Sequence, residues 1–102
     1  MALKLNDWDC AKYLQSDEAV AVYLQTCLED AGDDPAFLAK AIGNVARARG
    51  MSEVAKKTGM GRESLYKALS GDGNPSFGTV LKVLHALGIE MRFAMSAKHN
   101  VA

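Results

Sequence analysis

The stretch MSEVAKKTGMGRESLYKALS, Met51 to Ser70, contains two short helical patterns separated by a glycine-containing turn. Ala55 stands where two helices must approach closely, and Gly59 supplies the positive φ that lets the chain reverse within three or four residues. Met60 is expected to point inward between the two helices. This layout is typical of a helix-turn-helix, and the alternative is a helical hairpin of a bundle that binds no ligand.

The second helix of this stretch has an apolar side, with Leu65, Ala68 and Leu69, and a polar side. In a helix-turn-helix the second helix enters the major groove, where polar side chains near its start reach base edges. Glu63 and Lys67 also form an i, i+4 pair, which is equally typical of an exposed helix without a ligand. The sequence predicts base contacts from Arg62, Glu63, Ser64 and Lys67, and phosphate contacts from Ser52, Lys56, Lys57, Gly61 and Tyr66.

Charge is distributed unevenly along the chain, although the formal net charge is zero. Residues 1–34 carry two lysines and eight acidic residues, a net charge of −6, whereas residues 35–102 carry ten lysines or arginines and four acidic residues, a net charge of +6. This asymmetry favours a basic working half with an acidic appendage. Unequal solvated faces without any partner are the alternative interpretation.

Composition and cysteine usage bear on the class of protein. The 102 residues are 49% hydrophobic and 24% charged, as in one ordinary globular domain. No apolar run approaches the roughly 20 residues that cross a bilayer, and the start lacks a signal-peptide pattern, so we expect a cytoplasmic protein. Cys10 and Cys27 are expected to be buried reduced thiols. Since His85 and His99 share no ligand spacing with them, we expect no enzyme activity, metal or cofactor.

Helix start and stop signals predict six helices, and hence an all-α fold apart from the C-terminal end. Pro35 suits the first position of the third helix, which is expected to stop at Arg49. The predicted N-caps are Asp7 or Asp9, Ser16 or Asp17, Asp34, Ser52, Gly61 and Ser76. The predicted inner face of the last helix consists of Phe77, Val80, Leu81, Leu84 and Leu87.

The apolar period changes to two after the last helix, because every second residue from Ile89 to Met95 is apolar and large. This alternation predicts a short strand at residues 89–95. An unpaired strand edge favours association, and the simplest partner is the same strand in a second copy. We therefore predict a homodimer with contacts from Ile89, Met91 and Phe93. An extended tail lying against the helices is the alternative.

These patterns divide the chain into four segments. Residues 1–33 form a predicted acidic N-terminal helical extension, and residues 34–88 form a predicted helix-turn-helix DNA-binding domain. Residues 89–95 are the predicted strand and dimer contact, and residues 96–102 are a predicted flexible tail.

The segment GMGRESLYKALSGDGNPSFGTVLKVLHALGIEMRF, residues 59–93, resembles the antitoxins of HigA-like, Xre-type addiction modules, which have a lambda-repressor-like helical DNA-binding domain. The segments DCAKYLQSDEAVAVYLQTCLED, residues 9–30, and AKAIGNVARARGMSEVAKKTG, residues 39–59, fit the same group, so the resemblance covers roughly residues 7 to 95. It implies an antidote protein that binds a partner toxin of the RelE/ParE-like type and operator DNA, and that represses its own operon.

Gly61 departs from this family's pattern, which often has serine or threonine as the cap of the DNA-reading helix. A glycine cap is slightly weaker, but it leaves the amide open to a phosphate. Two further functions fit the residues. One is a phage-type transcriptional repressor without a toxin, and the other is an adaptor whose helix-turn-helix no longer binds DNA.

Overall fold

The computed structural model describes residues 12–31 and 33–97, and five helices lie within this part of the chain. They are α1 at Asp17–Ala31, α2 at Pro35–Arg49, α3 at Met51–Thr58, α4 at Arg62–Ala68 and α5 at Phe77–Ala86. None of them combines the length and the apolar composition that a bilayer span requires. The predicted cap at Asp7 or Asp9, Cys10 and His99 lie outside the described residues.

Three of the predicted N-caps are confirmed by hydrogen bonds from backbone amides to capping side chains. Ser16 Oγ accepts from the amide of Ala19 at 3.1 Å, and Ser76 Oγ accepts from the amide of Thr79 at 3.1 Å. Asp34 Oδ1 accepts two such bonds at the start of α2, at 3.1 and 3.2 Å. Each bond satisfies an amide that has no partner inside its own helix, and so fixes where the helix begins.

The start of α3 differs from the prediction. The helix begins at Met51 directly after Gly50, so Ser52 lies inside it and is not its cap. Met51 is only 4% exposed and packs in the core with Val54 and Ala55. Burial of this methionine therefore accounts for the earlier helix start, because it ties the first helical residue to the rest of the fold.

Two hydrophobic clusters meet on α2 and hold the helices together. The first cluster consists of Leu14, Val20, Tyr23, Cys27, Ala41 and Val45, and so packs α1 against α2. The second consists of Ala46, Met51, Val54, Ala55, Leu65, Leu69 and Val83, and so packs α3, α4 and α5 together. Cys27 is buried as predicted. Since α2 contributes to both clusters, α1 is packed directly onto the helix that supports α3, α4 and α5.

The predicted strand at residues 89–95 is wrong for this chain, because none occurs within residues 12–31 and 33–97. The amide of Ile89 bonds to the carbonyl of Leu84 at 2.9 Å and closes the end of α5. A strand forms only by pairing with another strand, and the described residues offer no second one. Residues 90–95 therefore follow α5 as an exposed segment without regular structure.

The predicted inner face of α5 is only partly correct. Val83 is fully buried and Leu84 is 8% exposed, whereas Phe77 is 64% and Leu81 is 41% exposed. The apolar residues of α5 occupy a wider arc of this helix than the neighbouring helices bury. One apolar stripe is therefore left facing outward.

Gly43 on α2 is a position where an added methyl group has no room. A β-carbon at Gly43 would lie 2.6 Å from the carbonyl oxygen of Leu69, just after α4. We expect Gly43→Ala to lower the free energy of unfolding by roughly 1 to 2 kcal/mol, because overpacking outweighs the gain in helix propensity. Urea denaturation of the two proteins measures this difference.

Gly78 on α5 provides the matched control for that substitution. A β-carbon there meets only Ser76 Oγ, at 3.7 Å. We expect Gly78→Ala to leave stability unchanged or to raise it by up to about 1 kcal/mol. Equal effects of the two substitutions would contradict the close approach of α2 and the end of α4.

Candidate nucleic-acid interface

The turn between α3 and α4 is held by backbone geometry and a threonine. Gly59 has φ 74° and ψ 13°, in the left-handed region, and its amide donates to the carbonyl of Ala55 at 3.0 Å. A β-carbon at Gly59 would meet nothing within 4 Å, so backbone conformation and not space favours glycine here. Thr58 Oγ1 donates to the same carbonyl at 3.1 Å and accepts from the amide of Met60 at 3.3 Å. The predicted turn at Gly59 is therefore confirmed.

The inner side of α3, the turn and α4 is buried as the sequence indicates. Leu65 on α4 and Leu69 directly after it are both 0% exposed. Ala55 is 7% exposed where α3 meets its neighbours. Met60 is partly buried and packs against the same cluster. Burial of both leucines fixes the rotation of α4, so the opposite side of the helix must face solvent.

All nine side chains or glycines predicted to contact DNA are exposed: Ser52, Lys56, Lys57, Gly61, Arg62, Glu63, Ser64, Tyr66 and Lys67. The ion pairs found within residues 12–31 and 33–97 are Arg49–Asp17 and Arg92–Glu90, so Glu63 and Lys67 do not pair with each other. The charged groups of α4 are therefore not satisfied by one another. They remain available to an external ligand.

Arg62 and Tyr66 lie one helical turn apart and contact each other. The guanidinium carbon of Arg62 is 6.0 Å from the centre of the Tyr66 ring, at the outer limit of a cation–π contact. Such a contact limits the directions that the long arginine side chain samples while leaving its donors exposed. The residues from Met51 to Leu69 carry four basic and two acidic side chains, so the surface has a net positive charge.

Two glycines leave room for neighbouring segments to pack closely against the end of α4, and their sequence context did not predict this role. A β-carbon at Gly73 would lie 2.5 Å from the carbonyl oxygen of Lys67, so the loop after α4 folds tightly onto the end of the helix. Gly43 approaches Leu69 from the other side. An isolated glycine inside an apolar helical pattern was the available signal for Gly43. The glycine-rich turn that contains Gly73 did not indicate that this residue would contact the end of α4.

A second exposed surface lies on α1, away from the helix-turn-helix residues. Glu18, Val22, Gln25 and Glu29 recur at three- and four-residue spacing, so they share one helical face, and all four are exposed. The whole of α1 contains four acidic residues and no basic residue. We call these four residues the acidic face of α1. This face combines the negative charges of its glutamates with one exposed apolar side chain, that of Val22.

Hydrogen bonds and an ion pair connect α1 to α2. Arg49 Nη2 lies 2.6 Å from Asp17 Oδ1, and Arg49 Nη1 donates to the carbonyl of Gln15 at 3.0 Å. Asn44 Nδ2 donates to the Tyr23 hydroxyl at 3.0 Å in a partly buried position. These polar contacts, with the shared core, fix the acidic face of α1 relative to the helix-turn-helix.

Residues 12–31 and 33–97 contain no group of three or more His, Cys, Asp or Glu side chains placed to hold a metal ion.

A family model for probable addiction module antidote proteins matches residues 4–95. An uncharacterized protein of Haemophilus influenzae is 44% identical over 96 residues, which cover 94% of this chain and 97% of that protein. No solved structure gives a significant match. The family match extends over all five helices, from α1 to α5.

Proposed function

Because the chain belongs to the family of probable addiction module antidote proteins, we propose that it is the antitoxin of a type II toxin–antitoxin module. In this proposal a dimer binds operator DNA through α3 and α4 and represses its own operon. The same chain binds a RelE/ParE-like toxin in the cytoplasm. The protein needs no cofactor and no catalytic activity for this role. Its subtype is HigA-like and Xre-type, with a lambda-repressor-like arrangement of helices.

The observation that carries the DNA-binding proposal is that α4 and the residue after it bury two leucines completely, while the polar side chains of the helix are exposed. Leu65 and Leu69 anchor the helix, so its outer side chains project from a rigid support. Arginine and lysine donate to the O6 and N7 atoms of guanine, and glutamate accepts from the N4 amino group of cytosine. We assign base contacts to Arg62, Glu63, Ser64 and Lys67.

The remaining exposed residues of the helix-turn-helix suit the DNA backbone. Lys56 and Lys57 lie on α3, the helix that crosses the backbone in this motif. Phosphate contacts position a protein on the duplex and carry no sequence information of their own. We assign them to Ser52, Lys56, Lys57, Gly61 and Tyr66.

The acidic face of α1 is the surface we assign to the toxin. It carries Glu18 and Glu29 beside the half-exposed Val22, and it lies outside the core shared by α1 and α2. A toxin that handles RNA needs a basic surface, and opposite charges accelerate association between proteins. The toxin and the operator therefore engage different helices of the same molecule.

Binding to the DNA upstream of the protein's own gene tests the proposal. We expect the full chain to bind this fragment specifically and to lose affinity steeply as salt increases, because each neutralised phosphate releases counterions. An unrelated fragment of the same length is the control, and a mobility-shift titration at several salt concentrations is the measurement. Equal affinity for both fragments, or no binding at low salt, would favour the adaptor function.

A further inference from the structure

The outer side of α5 carries a stripe of two large apolar side chains and one histidine, which the rest of the described chain leaves exposed. Phe77, Leu81 and His85 recur every fourth residue, so they lie above one another on one helical face. Phe77 is 64% and Leu81 is 41% exposed. Side chains of this size in a helix usually face a core. The stripe is therefore an exposed apolar part of the monomer surface.

The segment after α5 extends this apolar surface. Phe93 is 88%, Met95 is 74% and Met91 is 41% exposed. From residue 90 to residue 95 the described backbone makes no hydrogen bond to another backbone group. The segment therefore presents large apolar side chains and unpaired backbone groups on the same part of the surface.

A groove joins the stripe to this segment. It has a volume of about 360 Å³ and is lined by Leu81, Leu84, His85, Ile89, Glu90 and Met91. Its walls come from both α5 and the residues that follow it, so Leu81 of the stripe and Met91 of the segment border the same groove. We call the stripe, the groove and residues 91–95 together the α5 surface.

We propose that the α5 surface binds the α5 surface of a second copy of this chain about a two-fold axis. The proposal deepens the proposed function, which requires a dimer, by naming the surface that forms it. A two-fold contact needs one patch to carry both projecting groups and a recess. Phe77 and Phe93 are the projecting rings and the groove is the recess, so the patch is suited to a copy of itself.

The area of the α5 surface agrees with this occupant. Its five large apolar side chains expose on the order of 600 Å², near the upper end of what monomeric proteins leave exposed in one patch. A stable interface buries roughly 800 Å² on each partner, which the surrounding polar groups complete.

Charge at the edge of the α5 surface also favours a second copy. Arg92 pairs with Glu90 at 2.8 Å, and both side chains are well exposed. Because this edge carries one positive and one negative charge, two copies that meet there do not repel each other. Glu90 of each copy can pair with Arg92 of the other copy. A strongly basic toxin or a DNA phosphate chain would find no excess of opposite charge here.

Sedimentation equilibrium of the chain alone, without DNA or toxin, tests this proposal. We expect the average mass to rise from 10.9 kDa towards twice that value as the concentration increases. We expect Leu81→Glu to raise the dissociation constant at least about tenfold, because it places a charge in the groove. Phe93→Ala should weaken the dimer as well, and it lies outside all helices, so it cannot unfold one.

Leu28→Glu is the matched control, because Leu28 is a 50% exposed leucine on α1. It should dimerise like the wild type, and circular dichroism checks that every variant is helical. A wild type that stays monomeric, or a Leu81→Glu variant as dimeric as the wild type, overturns the proposal. If the wild type is monomeric and Leu81→Glu loses toxin binding, the surface belongs to the toxin instead. Operator binding is measured separately, so a failed dimer test and a failed DNA test are distinguishable.

Discussion

Arg62→Ala is expected to weaken binding to the operator by roughly 1 to 3 kcal/mol at each half-site and to relax discrimination at one base pair there. The reason is that Arg62 is exposed in the first turn of a helix whose rotation is fixed by two fully buried leucines. Lys67→Ala should behave in the same way, because Lys67 lies on the side opposite Leu65 and Leu69. Titrations against operators substituted at each base pair measure both effects.

Lys56→Ala and Lys57→Ala should show a different pattern. A phosphate contact contributes about equally on every sequence, so these substitutions should lower affinity uniformly and reduce the salt slope by about one per contact. Lys82→Ala, an exposed lysine on α5, is the control. Losses for Arg62→Ala and Lys67→Ala no larger than that of the control would show that α4 does not read DNA.

Half-site spacing gives an independent check on the same interface. Two copies of α4 related by a two-fold axis require half-sites about 34 Å apart, one helical turn of DNA. Inserting five base pairs between the half-sites moves one of them to the opposite side of the duplex. We expect tight binding to be lost, while binding of a single half-site persists weakly.

Reversing charge on the acidic face of α1 is the second change with a large expected effect. We expect Glu18→Lys, Val22→Lys and Glu29→Lys in one chain to weaken the toxin complex on the order of 100-fold, at roughly 1 kcal/mol for each side chain. The three residues are exposed and lie outside both core clusters, so the fold should persist. Co-expression with the neighbouring gene product and titration of the purified complex measure the loss.

Deleting α1 would be a poorer test of the same idea. Its residues Val20, Tyr23 and Cys27 share a core with Ala41 and Val45 of α2, so the deletion would also damage the support of the helix-turn-helix. The control for the triple variant is Asp72→Lys, which reverses a charge in the loop after α4 and so outside the acidic face of α1. Unchanged toxin affinity in the triple variant, with operator binding intact, would place the toxin on another surface.

Short-range signals in the sequence determined most of the helix boundaries and the orientation of α4. Asp34 and Ser76 start their helices because a side-chain oxygen accepts from amides only two or three residues away. Gly59 ends α3 because a single residue can adopt the left-handed conformation. The polar side of α4 follows from helical periodicity alone. The resemblance to antidote proteins, which rested on the motifs, is confirmed by the family match.

Contacts between residues distant in sequence were decided only by the tertiary structure. Gly43 meets Leu69, and α3 starts at Met51 because that side chain is buried. The apolar alternation at residues 89–95 was a correct observation, but a strand also needs a partner that these described residues do not supply. Phe77 and Leu81 were assigned to the core because periodicity shows which side of a helix is apolar. It does not show whether another helix of the same chain, or a second molecule, covers that side.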